Sequence, residues 1–133
     1  MALDTVTPET GAVEFIKGSH RWGERFLDVS FNPNQKYTED LPEVPGIDAE
    51  RDRHDIAQFT MEPGKCTHHH ALTLHGAPGN ASRDQRQRTC VQRWVGDNLT
   101  YNRRPNLQRM LRDPGIPIGA PLDGDLFSGV WRA

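Results

Sequence analysis

GAVEFIKGS, residues 11–19, sets the class of the fold. Its side chains alternate, its apolar members are β-branched or aromatic, and glycines bound it at both ends, so it reads as a strand. The rest of the chain repeats that pattern in short pieces. Residues 23–53 are rich in charged residues, carry Asn32-Pro33-Asn34 and Pro42 to Pro45-Gly46, and read as a long loop. HDIAQFTM (54–61) alternates and reads as a second strand, followed by the turn signal EPGK (62–65). CTHHHALTLH (66–75) reads as a third strand, GAPGNASRDQ (76–85) as a loop and RTCVQRWVG (88–96) as a fourth strand. NLQRMLR (106–112) suits one short helix, and the tail from Gly115 is Gly/Pro-rich and extended. Four or five short strands separated by turns predict a mainly β sandwich or barrel in a single domain spanning 1–133. They fall short of the eight strands of a closed jelly roll.

Composition agrees with many turns and a modest core. The 133 residues are 35% hydrophobic and include 12 glycines and 10 prolines. Net charge is −2 with no long run of one sign, which gives no footing for nucleic acid or an acidic membrane surface. The apolar runs are far shorter than the ~20 residues needed to cross a bilayer, and no charged-then-apolar leader opens the sequence. Cys66 and Cys90 make no spaced pattern, so free thiols in a cytoplasmic protein are expected. The sequons at Asn80 and Asn98 are read as chance matches in that compartment.

Four of the six histidines fall within residues 68–75. Strand alternation would put Cys66, His68, His70, Leu72 and Leu74 on one face, and Thr67, His69, Ala71, Thr73 and His75 on the other. His75 then ends the strand just before a turn, a place where scaffolds often carry ligands. Three consecutive histidines cannot all reach one metal from one strand, so His68 to His70 fit a solvated strand equally well. Arg86 and Arg88 follow eleven and thirteen residues after His75, on one face of the next strand. A guanidinium is a rigid two-pronged donor for a carboxylate. A metal-binding histidine with such an arginine on a neighbouring strand can hold a small dicarboxylate that also chelates the metal. A solvated basic strand end accounts for the same residues. Trp22 and Trp94 are expected in the core rather than in a pocket.

The chain resembles the phytanoyl-CoA dioxygenase family of Fe(II)/2-oxoglutarate oxygenases. LDTVTPETGAVEFIKGSHRWG (3–23) resembles its strand and turn leading to Gly-Ser-His-Lys/Arg-Trp, and LHGAPGNAS (74–82) its distal-histidine motif. QRWVGDNLTYNRRP (92–105) and GAPLDGDLFSGVW (119–131) resemble its last core strand and C-terminal tail. The resemblance implies a double-stranded β-helix, a cupin-like jelly roll. It implies iron held by two histidines and a carboxylate, with His75 as the second histidine. It implies Arg86, or failing that Arg88, on the distal carboxylate of 2-oxoglutarate, with Asn80 and Ser82 in a supporting loop. An iron-bound histidine also needs an acceptor for its other ring nitrogen, which the sequence does not name.

The sequence departs from the family in one decisive place. The first two iron ligands form a His-x-Asp motif, and no histidine here is followed two positions later by Asp or Glu. Lys65 also stands where an acid is usual. The expectation is therefore the C-terminal part of the fold, with N-terminal strands and two iron ligands missing. Three readings follow. One is a hydroxylase completed by another polypeptide carrying the missing strand. Another is a non-catalytic relative or binding module. The third is a Zn or Ni binder built on His69, His75 and His54. Unpaired sheet edges and an open core face make self-association an expectation in each case. The substrate, a small molecule in this family, is not legible.

Overall fold

The structure is a computed structural model that describes residues 1–27, 40–103 and 112–130. Regular elements are short: β1 (Glu14–Ile16), β2 (Ile56–Gln58) and β3 (His75–Gly76), with a 3-10 helix at Ser19–Arg21 and a 3-10 stretch at Ile47–Arg53 that is kinked at Glu50. Among the described residues the chain is mostly irregular and has no α-helix, with one small antiparallel sheet, which is consistent with a mainly β class. The strands form one antiparallel sheet in the order β2-β1-β3. In register, Phe15 lies opposite Ala57 on one side and His75 on the other.

Chain contacts divide the molecule into two compact units. One comprises Met1–Asp28 and Leu41–Gln92, the other Val29–Asp40 and Arg93–Ala133. The first unit is built around its own N-terminal stretch. Val6 exchanges backbone hydrogen bonds with Met61, the Ala2 N–H donates to the Lys65 carbonyl, and the Leu3 N–H to the Arg88 carbonyl. Residues 1–6 therefore run between the segments around 61–65 and 88–90. Thr7 and Thr10 then lock a turn through reciprocal bonds, the Thr7 N–H to Thr10 Oγ1 at 2.9 Å and the Thr10 N–H to Thr7 Oγ1 at 3.2 Å. That turn sends the chain into β1. Among the described residues, all the buried ones lie between Ala2 and Ser19: Ala2, Val6, Thr10, Gly11, Ala12, Phe15, Ile16 and Ser19. In the second unit Tyr101 exchanges backbone bonds with the stretch Gly119–Ala120 at 2.8 Å each.

β1 is covered on both sides, which requires its one charge to be matched. Glu14 accepts two hydrogen bonds from Arg51, both 2.9 Å, and Arg51 is delivered by the 3-10 helix Ile47–Arg53. The Arg51 guanidinium lowers the Glu14 carboxyl from its ordinary value. Part of the expected 23–53 loop is thus an ordered strut; residues 28–39 lie outside the described residues.

Three expectations change. The 66–75 strand shrinks to its last residue, because the His70 ring accepts the Leu72 N–H at 3.1 Å and the His70 carbonyl accepts the Thr73 N–H at 3.0 Å. A turn there diverts the backbone groups that a ladder would need. The 88–96 strand reduces to a single bridge, Thr89 opposite Ala2. Trp22 and Trp94 are exposed rather than in the core, at 40% and 58%. The expected helix at 106–112 lies almost wholly outside the described residues.

Candidate functional site

His75 is fixed by its neighbours in the sheet. The Ile16 N–H donates to the Leu74 carbonyl at 2.9 Å, and the Leu74 N–H donates to Ser19 Oγ at 2.9 Å. Ser19 Oγ donates in turn to the Ile16 carbonyl at 2.8 Å. Ser19, 3% exposed, thereby ties the residue before His75 to the end of β1. The His75 ring is fixed as well. Its Nδ1 lies 2.8 Å from the Thr73 carbonyl. A carbonyl can only accept, so Nδ1 carries a proton, and in the neutral ring the lone pair is then on Nε2. That is the tautomer a metal ligand needs, with its orienting acceptor supplied by the backbone.

The other histidines separate. His69 lies beside His75, with ring centroids 4.6 Å apart, and both pack on Phe15, at 5.0 and 6.1 Å respectively. The His69 Nδ1 likewise faces a carbonyl, that of His70, at 3.1 Å. His70 turns away toward His20, with centroids 5.5 Å apart. His68 lines a groove of about 560 Å³ with Phe59, Met61, Lys65 and Cys66. His54 packs on Trp22 at 6.0 Å, and its Nε2 is buried without a partner. The structure therefore brings His69 to His75 and does not bring His54.

The loop after His75 is braced by two side chains. Asn80 Nδ2 donates to the Gln85 carbonyl at 2.8 Å, and Asn80 Oδ1 accepts the Ser82 N–H at 2.9 Å. Ser82 Oγ donates to Asp84 and accepts the Gln85 N–H. The loop also rests on Gly11, where an added Cβ would stand 2.7 Å from the Gly79 carbonyl oxygen. Beyond the loop the two arginines differ. Arg88 Nε and Nη2 grip Asp4 at 2.9 and 2.8 Å, and the Arg88 N–H adds a third bond to the same carboxylate. Hydrogen bonding from Arg88 is the main cause that holds the Asp4 carboxyl down at about 2. Arg86 is exposed and adds only its positive charge at a distance from Asp4.

Sequence reading missed Ser19, Asp4, the Thr73 carbonyl and the pairing of His69 with His75. The Gly-Ser-His motif marked Ser19 without giving its partner, which lies 55 residues away.

Among the described residues no three His, Cys, Asp or Glu side chains converge. Two imidazoles without a carboxylate do not fit a complete two-histidine, one-carboxylate iron site. His75 and His69 both direct Nδ1 at a backbone carbonyl, as a histidine member of such a site would.

No curated protein and no solved structure matches the chain. Residues 1–88 match the family model of phytanoyl-CoA dioxygenase (PhyH). That match spans β1, Ser19, the histidine stretch, the braced loop and both arginines, and stops short of the stretches 92–105 and 119–131. It covers about two thirds of the sequence, and with it the chain belongs to the phytanoyl-CoA dioxygenase family.

Proposed function

We propose that this chain is part of an Fe(II)/2-oxoglutarate-dependent hydroxylase with a double-stranded β-helix fold. It contributes the distal iron histidine, His75, and the 2-oxoglutarate arginine, Arg86. The His-x-Asp pair comes from polypeptide outside these 133 residues. The observation that carries the reading is the ring of the exposed His75 itself, whose Nδ1 donates to the Thr73 carbonyl while Nε2 has no hydrogen-bond partner among the described residues. Arg86 is preferred to Arg88 because Arg88 is engaged by Asp4 through three hydrogen bonds. Asn80 and Ser82 hold the eleven-residue span between ligand and arginine. When bound, iron and 2-oxoglutarate would supply the oxidation; this chain's residues would orient them.

The test compares the isolated chain with the chain joined to its flanking coding sequence, under Fe(II), 2-oxoglutarate and O2. The isolated chain should form no succinate. The completed protein should form it, His75→Ala should abolish it, and Arg86→Ala should raise the KM for 2-oxoglutarate on the order of 10–100-fold. Succinate from the isolated chain would overturn the reading of a shared site. A completed protein without turnover would favour the second reading, a non-catalytic binding module.

Self-association, or capture of the complementing polypeptide, belongs to the same proposal. Leu3, Phe59, Leu72 and Val91 are exposed on the first unit, at 44–71%. Where such side chains form one contiguous patch, another chain ordinarily covers it. A monodisperse monomer by size exclusion with light scattering would remove the self-association part.

A further inference from the structure

We propose that His69 and His75 form a two-imidazole site for a divalent transition ion of the Zn(II) type, seated on Phe15 at the exposed end of β3. The proposal shares His75 with the reading above and needs none of its outside ligands, iron or 2-oxoglutarate.

Three observations carry it. The first is separation. A zinc ion ~2.0–2.1 Å from each ligating nitrogen lies roughly 3.2 Å from each ring centre, so two cis ligands at 90–109° put the centroids about 4.5–5.2 Å apart. The His69 and His75 centroids are 4.6 Å apart. The second is protonation. Each ring points Nδ1 at a backbone carbonyl, His70 at 3.1 Å for His69 and Thr73 at 2.8 Å for His75. In the neutral rings both lone pairs are then on Nε2, and the donor hydrogen bonds orient both rings before any metal arrives. Packing alone would not require both rings to hold this tautomer. The third is the seat. Phe15, 9% exposed, lies under both rings, so ring rotation is restricted from below while the outer side stays open.

The donor set suits the ion. Two neutral imidazoles without a carboxylate favour Zn(II), Ni(II) or Cu(II) over Fe(II), by the ordinary affinity order of divalent ions. Solvent or a small anion would fill the remaining positions.

The experiment is a Zn(II) titration of the 15N-labelled full chain, followed by long-range proton–nitrogen spectra that resolve each imidazole nitrogen. Without metal, His69 and His75 should both show protonated Nδ1. On titration their Nε2 signals should shift together and saturate at one equivalent. His69→Ala and His75→Ala should each weaken binding on the order of a hundredfold, the loss expected when one of two linked contacts is removed. His68→Ala should leave binding unchanged, because its ring lies in the Cys66 groove. Unaltered backbone amide dispersion certifies the fold of each variant. If only His75 shifts and His69→Ala has no effect, the pair falls while His75 stands as a single ligand. If zinc instead moves His68, or no histidine, the pair also falls, and the hydroxylase reading is then decided separately by the succinate assay.

Discussion

The stretch 1–19 and the stretch 66–92 are built on opposite terms. The first holds all the buried side chains among the described residues and pairs with chain on both sides. The second is exposed through most of its length and is ordered by side chains: the His70 ring on the Leu72 N–H, Asn80 and Ser82 across the loop, Arg88 on Asp4. The proposed functional groups sit on the second and borrow their positions from the first through a few contacts. Breaking those contacts should therefore disturb the site out of proportion to the number of atoms removed.

Gly11 is the largest such contact. Its φ of +92° is left-handed, and a Cβ would meet the Gly79 carbonyl oxygen at 2.7 Å. Gly11→Ala thus meets backbone strain and a backbone clash together, and should cost about 2–4 kcal/mol. Urea unfolding reads the loss. Because Gly79 precedes the Asn80 brace, the same variant should displace Asn80 and Ser82 amide signals before those of β2. A loss under about 0.5 kcal/mol, typical of ordinary surface changes, would mean the loop does not rest on the first stretch.

Ser19 is next. Ser19→Ala removes the acceptor for the Leu74 N–H and leaves that donor part-buried, at a cost of about 1–2 kcal/mol. The site-specific readout is faster hydrogen exchange at Leu74, with broadening of the His75 Nδ1 proton. Equal loosening throughout the fold would make Ser19 a general core residue rather than the tether of His75.

These contacts also mark how far the sequence could be read. Residue type and bounding turns found β1 inside 11–19 and β2 inside 54–61; Phe15 and Ile16, on opposite faces of β1, are both buried. It failed at 66–75, where a histidine side chain outcompeted the ladder, a local choice that face counting does not register. It failed at 88–96 because Val91, Trp94 and Val95 are strand formers by type yet are more than half exposed. His75, Asn80, Ser82 and the two arginines were legible as a motif. What tells Arg86 from Arg88 was not, since Asp4 is 84 residues away and nothing local names it.

The Asp4–Arg88 contact gives the smallest effect and the most direct check on that distinction. The Asp4 carboxyl is held at about 2, chiefly by hydrogen bonds from Arg88, against about 3.9 for an unfolded aspartate. A carboxyl depressed in the folded state contributes stability that is fully present above the unfolded value. That contribution declines as pH falls from about 4 toward 2 and is gone below it. Glu14, lowered by Arg51, slopes the same way. Asp4→Asn should therefore flatten, without abolishing, the acid limb of the stability curve, and Asp4→Asn with Glu14→Gln should flatten it further. Added salt should shrink the Asp4 share, because the Arg88 side chain is 54% exposed. Loss of the Asp4 partner also leaves Arg88 as uncommitted as Arg86. If Arg86 is the 2-oxoglutarate residue, Asp4→Asn in the completed enzyme should leave the KM for 2-oxoglutarate within about twofold, well inside the change that losing a charged hydrogen bond produces. A marked fall in KM would mean that Arg88, once released, is the better partner, and that Asp4 in this chain holds back the arginine that matters.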